Sequence, residues 1–407
     1  MNRQSLKLAW RNIWRNKRRA FITIASIAIS LFFVLMLRQM QLWTYDFNIK
    51  NTVSAQIGYL QITDSLYIDE EILDNSISEE QVPVKKILEI PGVSEVIPRF
   101  ASGALTSTGL KSKYAGVLGI NPELDNKSLK LDRKLSKGAL LSTGDRSIVI
   151  TDKMAEFYQV SLGDSLVMIG MGYQGYTAAG IYPIKGIIDM QVGEMSNMVY
   201  MDISEAQYMF AAPDRYTQFL VNVDEQKDLP VVKKQLAELM NNSTLEVRSW
   251  QEVLPGLKQG LEIDSYSGQL IAGILYMIVG FGIFGTIVMM YNERQFEFGV
   301  MSAIGMSKKR LMVVTMMELL MLILMGIVTG LLLAFPVNYH YNKNPILMGG
   351  ETAKAAMEKG FDPYLGMGLY PDVYVANAAV IGCIALVVSL YMIMKIWGLD
   401  PIKAMRK

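Results

Sequence analysis

Apolar runs alternate with polar stretches along this chain, and four of the runs are long enough to cross a bilayer. Ala20–Leu37, Ser265–Asn292 and Val373–Met394 carry no charged residue, and Leu311–Pro336 is interrupted only by Glu318. At 1.5 Å rise per residue, about 20 residues cross the roughly 30 Å hydrocarbon core. Met40, Leu42, Trp43 and Tyr45 carry the apolar and aromatic character of the short first run past Arg38. The pattern predicts transmembrane helices over 20–43, 265–291, 311–336 and 373–395. Around them lie segments 1–19, 44–264, 292–310, 337–372 and 396–407.

Residues 44–264 read as one large folded unit of mixed elements. "VPVKKILEIPGV" predicts a short helix through Val84, Ile87 and Leu88, stopped by Pro91 and Gly92. "RSIVITDKMAEFYQV" predicts a strand followed by a helix that starts at Asp152. "DSLVMI" and "YPIKGIIDM" read as strands on either side of the Gly-rich "GMGYQGYTAAG". "DISEAQYMF" predicts a helix opening with Ser204, and "VVKKQLAELMNN" another. The alternation predicts an α+β domain inserted between the first and second membrane helices. Gly170, Gly172 and Gly175 spell G-x-G-x-x-G, but a dinucleotide site needs a helix immediately afterwards. "YTAAGIYPIKG" has no helical period, so a hairpin tip is the expectation there.

The segment 292–310 is too long for a tight connector. Asn292 can cap a helix, with Gln295 answering it and Glu293 and Glu297 near its positive end. Phe296, Val300 and Ala303 make one apolar stripe, Gly305 is a natural left-handed stop, and Ser307 can start the next helix. The expectation is a separate short helix lying along the membrane face as a docking surface. At the start of the chain, Leu6, Trp10, Ile13 and Trp14 recur at helical spacing among Arg and Lys. That predicts an interfacial helix with its aromatic face in lipid and its basic face on anionic head groups.

Glu318 lies seven residues, about 10 Å, into the third apolar run. A charge at mid-membrane costs about 2.5–3.5 kcal/mol on insertion scales. Glu318 is therefore expected to face protein or reach toward water. An interhelical hydrogen bond suits it better than proton relay, which needs membrane partners. Gly326 with Gly330, and Gly282 with Thr286, have the spacing that permits close helix approach.

The chain's net charge of +1 becomes informative once divided by position. Seven Lys or Arg lie within Met1–Arg19; Arg294, Lys308, Lys309 and Arg310 lie between the second and third runs; Lys395, Lys403, Arg406 and Lys407 lie after the fourth. The positive-inside bias then predicts cytoplasmic termini and a cytoplasmic 292–310 segment. Residues 39–265 hold 20 basic and 30 acidic side chains, which predicts that they lie outside and disfavours nucleic acid as a partner. The first run lacks a small-x-small cleavage site, so a retained signal anchor is expected. The single Cys383 and single His340 exclude a Cys/His metal cluster, a Ser/His/Asp set in 44–264 and a disulfide framework. Glu70-Glu71 and Glu79-Glu80 are adjacent in polar sequence and read as solvated. No G-x-x-x-x-G-K-[ST] loop occurs, so this sequence does not hold ATP in the P-loop manner.

"LAWRNIWRNKRRAF", "NERQFEFGVMSAIGMSKKRL" and "LDPIKAMRK" resemble the N-terminal helix, signature cytoplasmic segment and C-terminal ending of the MacB/FtsX-type ABC transporter permeases. "IPGVSEVIPR", "GINPE", "IVITDKMAEFYQVSLGDSL", "PIKGIID" and "SWQEVLPGL" follow in the same family's order, and the likeness is nearest to the lipoprotein-releasing LolC/LolE branch. The resemblance implies a non-hydrolytic permease subunit of the bacterial inner membrane. It binds no cofactor itself; ATP and Mg sit on a separate cytoplasmic ATPase. A second permease subunit, identical or not, completes the assembly. By position, the ATPase-docking residues are Glu293, Phe296, Glu297, Gly299, Val300, Met301, Ala303, Ile304 and Gly305. A lipid-facing substrate cleft would be bordered by Met36, Met40, Leu42, Trp43, Leu270, Ile274 and Met277. Met171, Tyr173 and Tyr176 occupy the place of a hairpin that recruits a periplasmic carrier, although their residue types depart from the pattern expected there. The resemblance favours extraction of lipoproteins or a related amphiphile, with the 28 Met residues suiting a flexible apolar cleft. Efflux of a small molecule or peptide, and activation of a cell-wall hydrolase, are the alternatives.

Overall fold

A computed structural model describes residues 10–15, 17–53, 57–129, 131–189, 196–241, 243–353 and 363–405. The chain divides into two compact units. One comprises Met1–Tyr45, Gly260–Leu347 and Tyr364–Lys407, the other Asp46–Gln259 and Met348–Pro363.

The second unit is built on ten strands: β1 (Leu60–Asp64), β2 (Val93–Ser107), β3 (Ser112–Ile120), β4 (Leu135–Gly138), β5 (Ile148–Thr151), β6 (Ser165–Met171), β7 (Thr177–Ile188), β8 (Met198–Asp202), β9 (Gln218–Val223) and β10 (Leu245–Ser249). Their order is β10-β1-β9-β2-β3-β8-β5-β7-β4, with β6 bridging β7 and β2. The bridge closes β2, β3, β8, β5, β7 and β6 into a small barrel. Phe100, Ile150, Met168, Val199 and Phe210 fill its interior. β10, β1 and β9 continue as an open wing, where the helix Leu229–Leu239 buries Val232 and Leu236 and packs beside β10.

β2 belongs to both parts. Val93–Arg99 pairs with β9, while Phe100–Ser107 pairs with β3 and its last four residues also with β6. At the changeover Arg99 is buried and its Nη2 lies 2.5 Å from Oδ1 of the buried Asp125. Burial raises the pKa of the Asp125 carboxyl even against the pull of Arg99. The expected local elements are present: helices at Val84–Leu88, Asp152–Tyr158 and Ile203–Met209, and the β6–β7 hairpin. Asp202, rather than Ser204, caps the third of these helices, because its Oδ1 accepts from the backbone N–H groups of Ser204 and Glu205.

The first unit is a helical bundle of α1 (Lys17–Asn48), α2 (Pro255–Ala303), α3 (Lys308–Lys343) and α4 (Pro371–Trp397). All four are long and apolar enough to cross a membrane. Ile27, Leu31 and Leu35 of α1, Ile283 and Ile287 of α2, Leu319 and Ile323 of α3, and Ile381 and Ala385 of α4 meet in one core. Each set recurs every three or four residues, so one stripe of each helix turns inward.

Several predicted helix bounds differ, and α2 begins at Pro255, ten residues before the predicted start at 265. α2 runs through Asn292 without interruption, so 292–303 is the last part of the same helix and not a separate one. Asn292 is therefore no cap, and Glu293 and Glu297 do not stand at a helix N-terminus. The residue in that stretch that weakens a helix most is Gly299, and it is buried against the bundle. α3 continues past Pro336 to Lys343, and α1 extends on both sides of its apolar run.

Close helix approach occurs where one glycine pair predicted it and not where the other did. A Cβ at Gly326 would lie 2.7 Å from Cβ of Ile27, and one at Gly330 would lie 2.9 Å from the Ala28 carbonyl oxygen. A Cβ at Gly282 would meet no other helix within 4 Å among the described residues, and the Thr286 hydroxyl bonds back to the Gly282 carbonyl along its own helix. Polar links fix the remaining contacts. Gln39 of α1 donates to the Tyr370 carbonyl and accepts from the Tyr370 N–H, each at 3.1 Å. Asn338 of α3 donates to the Tyr374 hydroxyl of α4 at 2.7 Å.

A buried charge pair lies inside the bundle. Arg294 Nη1 of α2 is 2.5 Å from Oε2 of Glu318 of α3, with side-chain exposures of 4% and 0%. Glu318 thus faces protein, as its position required, and its partner is the arginine three residues beyond Tyr291. Removing one member of a buried pair strands the other and costs about 3–5 kcal/mol. Thermal unfolding of the purified protein should show Arg294→Met and Glu318→Gln well below wild type. The double variant Arg294→Met/Glu318→Met should recover much of the loss; additive losses would show that the two side chains do not depend on each other. Gly330→Leu should cost about 1–3 kcal/mol by pushing α1 off its seat, read as a lower unfolding temperature.

Candidate functional site

The last turns of α2 and the turn into α3 present a continuous surface. Tyr291, Arg294, Phe298 and Gly299 point into the bundle, whereas Glu293, Phe296, Ala303, Ile304 and Gly305 are exposed and Glu297, Val300 and Met301 are half-buried. The apolar stripe of Phe296, Val300 and Ala303 read from the sequence therefore lies on the outward side. Gly299 does not: the helical period puts it beside Phe298 on the buried side, so it belongs to packing and not to the surface. Ile304 is 82% exposed, unusual for an apolar side chain at a helix end. Gly305 takes φ +100°, a conformation strained for any residue with a Cβ, and the N–H of Met306 closes on the Met301 carbonyl at 3.0 Å. Ser307 then caps α3 by accepting from the Arg310 N–H.

A second chain segment lies against this surface. Residues 10–15 are helical, with Ile13 2% exposed in the bundle core and Trp10 and Trp14 about half-exposed in an edge-to-face pair 5.8 Å apart. Ile13 is thus a bundle residue and does not share a lipid-facing stripe with the tryptophans; Leu6 lies outside the described residues. Arg15 Nη2 donates to both carboxylate oxygens of Glu297 at 2.6 and 2.7 Å. That pairing engages Glu297 and was not legible locally, since 282 residues separate the partners. Arg294 also escaped the sequence reading, which used it only as one of the basic residues that set orientation. Its signal was closeness to the membrane: it stands two residues past the second apolar run, while Glu318 lies seven residues inside the third.

At the opposite end of the bundle the expected cleft residues do not converge. Met40 of α1 lines a cavity of about 280 Å³ with Gln41, Thr44 and Ile271. Leu270, Ile274 and Met277 lie outside that cavity on an exposed face of α2, with 71%, 57% and 61% exposure. Met277 instead borders an apolar groove with Phe281, Phe284, Ile384 and Val388. Trp43 is buried, its ring so close to Gly366 that a Cβ there would lie 2.5 Å away, and Leu42 packs against the bundle core. Trp43 and Leu42 are therefore structural, because the α1 period turns them toward the chain before α4. Met36 is half-buried. A polar chain crosses between α1 and α2 here: Arg38 donates to Gln41 at 2.7 Å, Gln41 donates to the Asp264 carbonyl at 2.8 Å, and the Tyr45 hydroxyl donates to the Asp264 carboxylate. The sequence reading named Tyr45 and Arg38 only for the extent of the first apolar run, and it named neither Gln41 nor Asp264.

In the other unit, the tip of the β6–β7 hairpin exposes Met171 and Tyr176, at 73% and 55%. Tyr173 is held inside the domain: Arg215 donates to its hydroxyl at 2.9 Å and stacks on its ring at 4.9 Å. Only two of the three expected hairpin residues are thus available to a partner. No helix follows Gly175, where β7 begins two residues later.

With this geometry in place, the relatives are informative. Residues 270–401 match the model of the FtsX-like permease C-terminal domain, and residues 20–239 that of the MacB-like periplasmic core domain. The chain is 22% identical over 349 residues to the "Uncharacterized ABC transporter permease YknZ" of Bacillus subtilis, covering 81% of this chain and 84% of the relative. It is 22% identical over 328 residues to the "Lipoprotein-releasing system transmembrane protein LolC" of Xylella fastidiosa, covering 78% of each. Among solved structures, the periplasmic region of MacB from Actinobacillus actinomycetemcomitans aligns over 52% of this chain and 98% of that one, with a TM-score of 0.36 and 13% identity. Four membrane-length helices, a barrel-containing domain between the first two, and family matches over nearly the whole length lead to one conclusion: the chain belongs to the MacB/FtsX family of ABC transporter permeases.

Proposed function

We propose that this permease extracts lipoproteins, or a closely related amphiphile, from the outer leaflet of a bacterial inner membrane. Family membership implies an ATPase partner and a membrane setting. In our reading the ATPase is a separate cytoplasmic subunit that carries ATP and Mg. It docks on Phe296, Val300, Ala303, Ile304 and Gly305, with Glu293 and Met301 at the rim. Both termini lie in the cytoplasm, as the basic flanks of the helices favour. A second permease subunit completes the transporter, and residues 46–259 work outside the membrane.

The observation that carries this reading is the unbroken course of α2. Its 49 residues span about 70 Å, far more than the hydrocarbon core requires. The exposed stripe is therefore the end of the same rigid rod that crosses the bilayer. A push at Phe296 moves the rod, and no loop lies between to absorb the displacement. Lipoprotein as cargo is supported by the relatives named for lipoprotein release in Xylella and Neisseria. It also agrees with an exposed apolar face on α2 beside the Met40 cavity.

Phe296→Asp places a charge in the centre of the docking stripe, and Gly305→Val forces a strained turn there. Either should lower recovery of the ATPase on affinity-purified permease by about tenfold or more, as loss of a central interface residue does, while the permease still inserts. Undiminished recovery would remove the docking assignment. For the cargo, the complex purified from native membrane should carry a bound lipoprotein and release it on ATP addition. Met40→Asp should reduce the bound lipoprotein with the ATPase still attached, and a complex that never carries lipoprotein sinks that substrate class.

A further inference from the structure

A cavity of about 450 Å³ opens where the helical residues 10–15, the last turns of α2 and the first turns of α3 meet. That size is within the roughly 300–1,000 Å³ of small-molecule sites. One wall is apolar, formed by Phe296, Met301, Leu311 and Val314. The polar lining carries the guanidinium groups of Arg15 and Arg294, the Glu297 carboxylate that Arg15 bridges, and the side chains of Asn12 and Thr315. Arg294 uses Nη1 on Glu318, but its Nε and Nη2 are buried with no hydrogen-bond partner among the described residues. Two unmet N–H donors on a buried cation are costly, and their fork matches two oxygens of one phosphate.

We propose that this cavity takes the head group of one anionic phospholipid, its phosphate on Arg294 and Arg15, with one acyl chain leaving along Leu311 and Val314. A lipid fits better than a dissolved anion because the cavity reaches Leu311 and Val314, inside the third apolar run, at the level where chains and head groups meet. Trp10 and Trp14, half-exposed beside it, are interfacial residues by type. Arg11, Lys17, Arg18, Lys309 and Arg310 are exposed nearby in the chain and draw anionic lipid to this end of the bundle. The site also gives the Arg15–Glu297 bridge a role: the lipid touches the residue that clasps the docking stripe, so its presence bears on how firmly that stripe is held. Assignment to the inner leaflet rests on the orientation proposed above, whereas binding itself does not.

The test uses the delipidated full-length protein in detergent, titrated with phosphatidylglycerol or phosphatidylcholine and read by native mass spectrometry. One phosphatidylglycerol should bind with about tenfold or greater preference over phosphatidylcholine, the effect of one or more charge-assisted hydrogen bonds. Val314→Trp, which fills the apolar wall, should abolish that preference at unchanged unfolding temperature. Should that variant not fold, Arg15→Gln, at an exposed side chain, should reduce the preference severalfold. Equal binding of the two lipids overturns the proposal, as does displacement of phosphatidylglycerol by millimolar inorganic phosphate, which would mark a free-anion site. Retained preference in Val314→Trp together with lost ATPase recovery would assign the cavity to a partner side chain and also overturn it. Lost preference with intact ATPase recovery supports the lipid site and leaves the docking assignment standing.

Discussion

The bundle is organised around a charge pair that lipid forces inward. Neither Arg294 nor Glu318 can face hydrocarbon unpaired, and together they neutralise each other between α2 and α3 at 2.5 Å. Pairing them sets the register of the two helices at the end where they are joined by a short turn. That register in turn sets which side of the last α2 turns faces outward. Phe296, Ala303 and Ile304 are exposed because Tyr291, Arg294 and Phe298 are committed inside. A helix has only one period, so burying one stripe presents the opposite one.

The same end shows how a surface can be held without being covered. Ile13 is anchored in the core, and Arg15 reaches from the same short helix to Glu297. An exposed pair of this kind contributes little stability. Its effect is geometric, placing the N-terminal helix beside the stripe that the proposed ATPase grips. At the other end of the bundle the fixing interactions are neutral or partly charged hydrogen bonds through Gln39, Gln41, Asp264 and Asn338. Buried Gln39 satisfies both its amide groups on the backbone of Tyr370, which ties α1 to the start of α4. The inserted domain follows a different logic: a single 15-residue strand, β2, serves both barrel and wing, and buried Arg99 and Asp125 lock the point where it passes from one to the other.

Much of this was legible in advance. Four apolar runs, the short helices at Val84 and Asp152, the helix through Val231, the β6–β7 hairpin, the Gly305 stop and the Ser307 cap are all set by local composition, period and turn chemistry. So was the outward stripe through Phe296, Val300 and Ala303, because helical spacing alone groups those residues. The errors share a cause. Asn292 can cap a helix, yet it stands inside one, since nothing after it interrupts the backbone ladder that α2 brings out of the apolar run. Family resemblance places Trp43 and Leu42 at the cleft, but packing against Gly366 and the bundle core claims them.

By itself, the sequence determined which segments can cross a bilayer, several of the short helices, three of the ten strands (β5, β6 and β7) and which helix face is apolar, because those properties depend on residues a few positions apart. It also determined that Glu318 needed a partner, since the cost of a bare charge in lipid does not depend on the fold. Tertiary structure alone decided who the partners are. Arg294 meets Glu318 across 24 residues, Arg15 meets Glu297 across 282 and Gln39 meets Tyr370 across 331. Such pairings depend on which helices become neighbours and at what register, and both are consequences of packing the whole bundle at once.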